Sequence, residues 1–299
     1  MLDGFLYICL CNSPKSNAEH MLSLKQLLTV SLFIAFGKTA YSQLGFSHEI
    51  GVIAGPVEFR SDFGSRFDEA TNLGNSGIGI GIVHYINFAY RADCSCYSTD
   101  TYFNDHFKLR NEVSWNYTVL DHHGEWVKPI YTSANADKLR AHHGVAENFD
   151  IGTQIEYFPR SIRSFQAFSY LLAPYVSLGI HYTSSHPQAS TTYGDGNVFD
   201  GNNIYSFWYQ DPRYLPPLPA GVPESERQYP IDVNPRSDWS LVTSVGVRYK
   251  IGVLSDLLLD LRWQLYFNDW VDGFNHKLSY NKFNDWLLWL NVGYIYYLD

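Results

Sequence analysis

Residues 286–298 read Trp-Leu-Leu-Trp-Leu-Asn-Val-Gly-Tyr-Ile-Tyr-Tyr-Leu. In a strand, successive side chains point to opposite faces. Trp286, Leu288, Leu290, Val292, Tyr294, Tyr296 and Leu298 then share one face, and Asn291, Gly293 and Tyr297 fall on the other. A soluble strand this apolar must be buried on both sides. A strand with lipid outside and a packed lumen inside satisfies the same pattern.

Working back from that stretch, seven more segments alternate in the same way. They are residues 46–55, 77–89, 107–119, 145–158, 168–183, 239–251 and 257–267. The third is the clearest: Phe107, Leu109, Val113, Trp115, Tyr117 and Val119 oppose Lys108, Arg110, Glu112, Ser114, Asn116 and Thr118. His84 interrupts the apolar face of the second. Pro174 lies inside the fifth and predicts a bulge, since proline cannot donate to a ladder. Eight segments, each long enough to cross a bilayer when tilted, predict an all-β fold: an eight-stranded antiparallel transmembrane up-and-down β-barrel with long external loops. Connections after the first, third, fifth and seventh segments are long, which assigns them to the outside. Residues 91–106 are the exception, a long connection on the side where turns are short.

The start of the chain reads as an export signal. Lys25, the apolar run 27–36 and the small residues Ala40 and Ser42 before Gln43 suit a signal peptide at 21–42, cleaved after Ser42. Residues 1–20 read as an upstream extension, and 43–299 as the barrel. That mature part carries 18 basic and 28 acidic residues once three lysines and two acids are removed from totals of 21 and 30. A net charge of −10 argues against nucleic acid as a partner. Aromatics make up 17% of the chain, enough to supply girdles at both membrane interfaces. No stretch of about 20 apolar residues exists, so a membrane-spanning reading requires a barrel.

Asn291, Gly293, Tyr296 and Leu298 resemble the C-terminal signal by which Gram-negative outer-membrane barrels are received by their assembly machinery. The chain as a whole resembles an uncharacterised family of small flavobacterial outer-membrane barrels, on residues 48–55, 77–90 and 94–110. The resemblance implies localisation in the outer membrane, contact with its lipid and with the barrel-assembly machinery, and no particular activity.

Candidate chemistry is sparse, and neither a cofactor nor a metal is assigned. Gly77, Gly79 and Gly81 alternate with isoleucine inside a strand with no helix behind it, so they are small lumen residues and not a dinucleotide loop. Cys94 and Cys96 read as a local disulfide, with a metal or redox role as the alternative. His122-His123 and His142-His143 are placed to face one another across a hairpin end, as a solvated turn or as imidazoles around a metal. His181 with Thr183, Ser184 and Ser185 is similar to the His and Ser of lipid A deacylase barrels. It falls on the lumen face and has no carboxylate partner. The register instead sends Lys108, Arg110, Arg248, Lys250 and Arg262 inward with Glu49, Glu112, Asp150, Glu156 and Asp260. This balanced set is expected to form an ion-pair network that fills the interior. The expected function is non-enzymatic: an envelope scaffold, or a platform whose Pro- and aromatic-rich external loop 184–237 meets a protein partner. A lipid-modifying barrel enzyme and a small porin are the alternatives.

Overall fold

A computed structural model describes residues 46–65, 67–88, 102–209, 230–276, 278 and 283–298. The signal-peptide segment 21–42 and the Cys94–Cys96 pair lie outside the described residues. Among the described residues, nine strands form one sheet: β1 (Ser47–Arg60), β2 (Ser76–Asn87), β3 (Phe107–Asp121), β4 (His142–Tyr157), β5 (Leu172–Ser185), β6 (Gln188–Thr191), β7 (Arg236–Gly252), β8 (Ser255–Tyr266) and β9 (Trp286–Tyr297). All pairings are antiparallel, and β1 pairs with β9 to close the sheet. The four-residue β6 follows β5 and pairs with the start of β4. The remaining eight strands make a closed up-and-down barrel.

The stagger of that barrel follows from its register. Partners traced from Ile50 run through His84, Asn111, Thr153, Ile180, Leu241, Leu265 and Trp286, and return to β1 at Arg60. Closure thus shifts the register from residue 50 to residue 60. Such a stagger tilts the strands by roughly 35–45° and leaves an interior just wide enough for side chains to fill.

Burial alternates along every long strand. In β8, Leu257, Leu259, Leu261 and Trp263 face out, while Asp256, Leu258, Asp260, Arg262 and Gln264 are buried. The outward face is apolar, from Ile50 and Val52 on β1 round to Leu290 and Val292 on β9. At the rim where β1 begins, Tyr249, Tyr294 and Tyr296 face out. Toward the opposite rim, Phe149, Tyr182, Trp239 and Trp263 do. An apolar band between two aromatic girdles is the exterior of a transmembrane barrel.

One proline behaves differently from expectation. No bulge occurs at Pro174, which pairs with Val247 in continuous register. The ladder from β5 to β4 begins only at Val176, so Pro174 has a neighbour on one side alone, where proline is tolerated. Strand β5 starts at Leu172, because Ile162–Gln166 forms a helical turn before it. The register irregularity lies instead at Lys250/Gly252, beside the short β7–β8 turn. Strand β1 runs past Gly55 to Arg60. Its ladder to β9 skips Gly55 and Pro56 and resumes at Val57.

Candidate functional site

The alternating pattern places ten charged side chains where the barrel interior must be. All of them are buried: Glu49, Lys108, Arg110, Glu112, Asp150, Glu156, Arg248, Lys250, Asp260 and Arg262. Nine join one chain of contacts. Glu49 receives Lys108 at 2.5 Å and Arg248 at 2.6 Å. Arg248 also reaches Glu156 at 3.2 Å and Asp256 at 3.9 Å. Arg110 bridges Glu156 (3.5 Å), Asp260 (3.2 Å) and Glu112 (2.8 Å). Both oxygens of Glu112 accept from Arg262 at 2.5 Å, a bidentate fork that fixes both side chains. Lys250 meets Asp256 at 3.2 Å.

Asp256 is absent from the set read off the sequence, because that reading extends the β7–β8 turn as far as Ser255. Its signal is there nonetheless, since residues 256, 260, 262 and 264 share one parity. Asp150 departs from expectation in another way. It accepts hydrogen bonds from Thr183 (2.5 Å), Gln264 (2.8 Å) and Asn116 (3.2 Å) and joins no ion pair among the described residues. Aromatic faces complete the filling. Arg248 lies 4.1 Å from the Tyr85 ring centre, and Arg262 lies 4.7 Å from that of Trp289. His181 is buried in the lumen beside Gln154 at 3.2 Å, remote from lipid.

At the rim where β1 ends, four connections meet. Asp62 of the β1–β2 loop accepts from the His276 amide (3.0 Å), and its own amide donates to Asp272 (3.1 Å), both on the β8–β9 loop. The Phe63 ring lies against His122 and His142, with centres 4.9 Å apart in each case. Trp208, from the β5–β7 connection, packs on Phe274 at 4.5 Å. Ser206 donates to Asn135 at 2.9 Å, joining that connection to the β3–β4 loop. Between them lies a half-open recess of about 300 Å³, lined by His122, His123, Trp126, Tyr205, Trp208 and His276 among others.

The two histidine dipeptides do oppose one another, but alternation separates their members. His122 Nε2 lies 3.0 Å from His142 Nδ1, while His143 lies 2.5 Å from Asp121. Among the described residues, no three His, Cys, Asp or Glu side chains converge as metal ligands.

Burial, reinforced by His142, His276, His123 and His143, holds the His122 imidazole well below its ordinary pKa. His122 is therefore neutral in the folded cap, whereas an unfolded histidine titrates near 6.5. Stability from this site is complete above about pH 6.5 and is lost as pH falls, because the open state takes up the proton first. Acidification from about pH 7.5 to about pH 5 is expected to raise the rate of proteolysis in the external loops. His122→Phe should flatten that dependence. Equal acid sensitivity in the variant would place the titrating group elsewhere.

No protein-family model matches the chain, and no curated protein is significantly similar to it. Solved structures with a similar fold include Ail, the attachment invasion locus protein of Yersinia pestis, in complex with a heparin analogue. It is 9% identical, with a TM-score of 0.38, covering 85% of this chain and all of that one. Neisserial surface protein A is 12% identical, with a TM-score of 0.38, covering 84% and 98%. The outer membrane protein OprG from Pseudomonas aeruginosa is 11% identical, with a TM-score of 0.38, covering 84% and 96%. No residue role is carried over from them.

Proposed function

We propose that this protein is an integral outer-membrane barrel with a sealed lumen, which holds an ordered cap of external loops as a non-enzymatic binding platform. The observation that carries the reading is the contrast between the two ends. The interior is filled by paired charges, and all four long connections interlock at one rim around an aromatic, imidazole-lined recess. The connections at this rim, residues 61–75, 122–141, 186–235 and 267–285, are longer in sum than those at the other, 88–106, 158–171 and 253–254; the longer loops of such barrels face outward, so the cap does too. The export signal at 21–42 and the terminal Asn291, Gly293, Tyr296 and Leu298 fit delivery to the outer membrane. The resemblance to small flavobacterial outer-membrane barrels is in keeping with this reading. The connection 184–237 is the contact surface for a protein partner: its prolines lower the entropy lost on docking, and its aromatics supply anchor area.

A selective pore carries rings of one charge sign, whereas this interior pairs opposite signs. A lipid-modifying enzyme needs an activated nucleophile facing lipid, and His181, the candidate with serine neighbours, faces the lumen. The test has two readouts. An epitope inserted at Gly221 should be reached by antibody on intact cells, and purified protein in a planar bilayer should show no steady conductance. Labelling only after permeabilisation would invert the topology. A porin-sized current would open the lumen.

A further inference from the structure

One row of side chains breaks the apolar exterior. His84, Asn111 and Thr153 are consecutive cross-strand partners on β2, β3 and β4, all on the outward face. His48 of β1 stacks on His84 with centres 5.3 Å apart and planes 11° apart. Asn111 Nδ2 approaches His84 Nδ1 at 3.4 Å, and His84 Nε2 lies 3.1 Å from His48 Nδ1. The stagger that closes the barrel makes this row climb. It starts at His48, the second residue of β1, and rises strand by strand into the membrane band. Polar side chains facing hydrocarbon are costly and are retained where they serve a purpose.

The row borders a shallow, open groove in the outer wall with a volume of about 590 Å³. From His84 and Asn111 the groove passes Ile82, Val113, Ile151 and Ile180 and ends at Tyr182 and Trp239. It is polar at the end near the rim where β1 begins and apolar from there to the other girdle. The outward carboxylates of β1 to β4, Glu58, Asp121 and Glu147, all lie toward the other rim. Imidazole and amide N–H groups thus face lipid at the polar end, while Glu49 and Glu112, the carboxylates beside the row on β1 and β3, are turned into the lumen and paired there with Lys108, Arg248, Arg110 and Arg262.

We infer that this groove binds one glycerophospholipid of the periplasmic leaflet, its headgroup at the His48–His84–Asn111 row and an acyl chain along Val113, Ile151 and Ile180. The inference rests on the barrel standing in a membrane with the rim where β1 begins on the periplasmic side, and not on what the external loops bind. A periplasmic-leaflet lipid places its phosphate at the rim where His48 stands and its ester carbonyls one step deeper. Phosphate and carbonyl oxygens accept hydrogen bonds. Asn111 has two amide hydrogens, of which His84 takes one. The acyl chain then runs toward mid-membrane, as the groove does. A second copy of this chain would bring an apolar barrel wall and leave the polar row without acceptors, so it is the poorer fit.

The test compares the full barrel with the double variant His84→Leu/Asn111→Leu, reconstituted in phosphatidylcholine vesicles carrying a minor fraction of phosphatidylglycerol and extracted for native mass spectrometry. Wild type should retain one phospholipid per barrel, and the variant about tenfold less. Leu259→Ile, on the opposite wall, should retain it as wild type does. Unfolding temperatures should match, because leucine at outward positions suits lipid, so lipid loss cannot be ascribed to misfolding. Equal retention in the double variant would overturn the inference. So would preferential retention of lipopolysaccharide when both lipids are offered, or a dimer that the double substitution splits without changing bound lipid. Failure to insert into vesicles at all would instead overturn the membrane reading beneath it.

Discussion

Replacing Arg262 by alanine should lower the unfolding temperature of the detergent-solubilised barrel more than any single change on the outer wall. Arg262 is fully buried, holds both oxygens of Glu112 at 2.5 Å and lies over Trp289. Removing one partner of a buried pair costs about 3–5 kcal/mol, because the other charge is left uncompensated. Glu112 would keep Arg110 at 2.8 Å and the Gln154 amide at 3.4 Å, so the lower end of that range is expected. Glu147→Gln is the matched control. Glu147 sits at the outer surface, accepts from the Trp115 indole at 3.0 Å, and would still present an oxygen as glutamine. Its effect should stay within about 0.5 kcal/mol. The double variant Arg262→Met/Glu112→Gln should recover most of the loss, because neither charge is then stranded. An Arg262→Ala barrel that melts with wild type would mean water reaches the pair and the lumen is not sealed.

Much of this interior is legible in the sequence alone, for a simple reason. In a barrel, a strand's parity decides inside or outside, and one clear strand with Lys108, Arg110 and Glu112 opposite Leu109 and Val113 sets the sense for its neighbours. Legibility ends where parity stops acting. Asp256 is hidden at a turn boundary. Pro174 reads as a bulge because a sequence cannot tell that β4 has ended where it sits. The external cap is legible only at the β3–β4 hairpin end, where His122 meets His142; the rest is not, because Asp62 meets His276 and Asp272 across some 210 residues of chain and loops have no period. His84 stands out as an oddity on an apolar face. That it lines up with Asn111 and Thr153 is a matter of register between strands, set by the barrel's stagger, and no single strand records it.

The seam between β1 and β9 should be unforgiving, and Gly55→Ala should show it. A Cβ on Gly55 would stand 1.8 Å from the Leu290 carbonyl oxygen, 2.9 Å from its carbonyl carbon and 3.3 Å from the Asn291 Cα. All three are backbone atoms of β9, so no side-chain rotation relieves the clash. One strand would have to move away from the other. The ladder there is already interrupted at Gly55 and Pro56, and its two halves, Ala54 to Val292 and Val57 to Trp289, would be forced apart. An open barrel exposes two strand edges to lipid, where unpaired backbone groups cost several kcal/mol each. Closure should therefore fail outright. On electrophoresis in detergent without boiling, the compact heat-modifiable band of wild type should be reduced by about tenfold or more in Gly55→Ala. Gly252→Ala is the control: its Cβ would meet only the Ser255 hydroxyl at 3.0 Å, which can rotate aside. A Gly55→Ala barrel that folds as wild type does would show that β1 and β9 do not approach each other closely, and the closure described here would have to be redrawn.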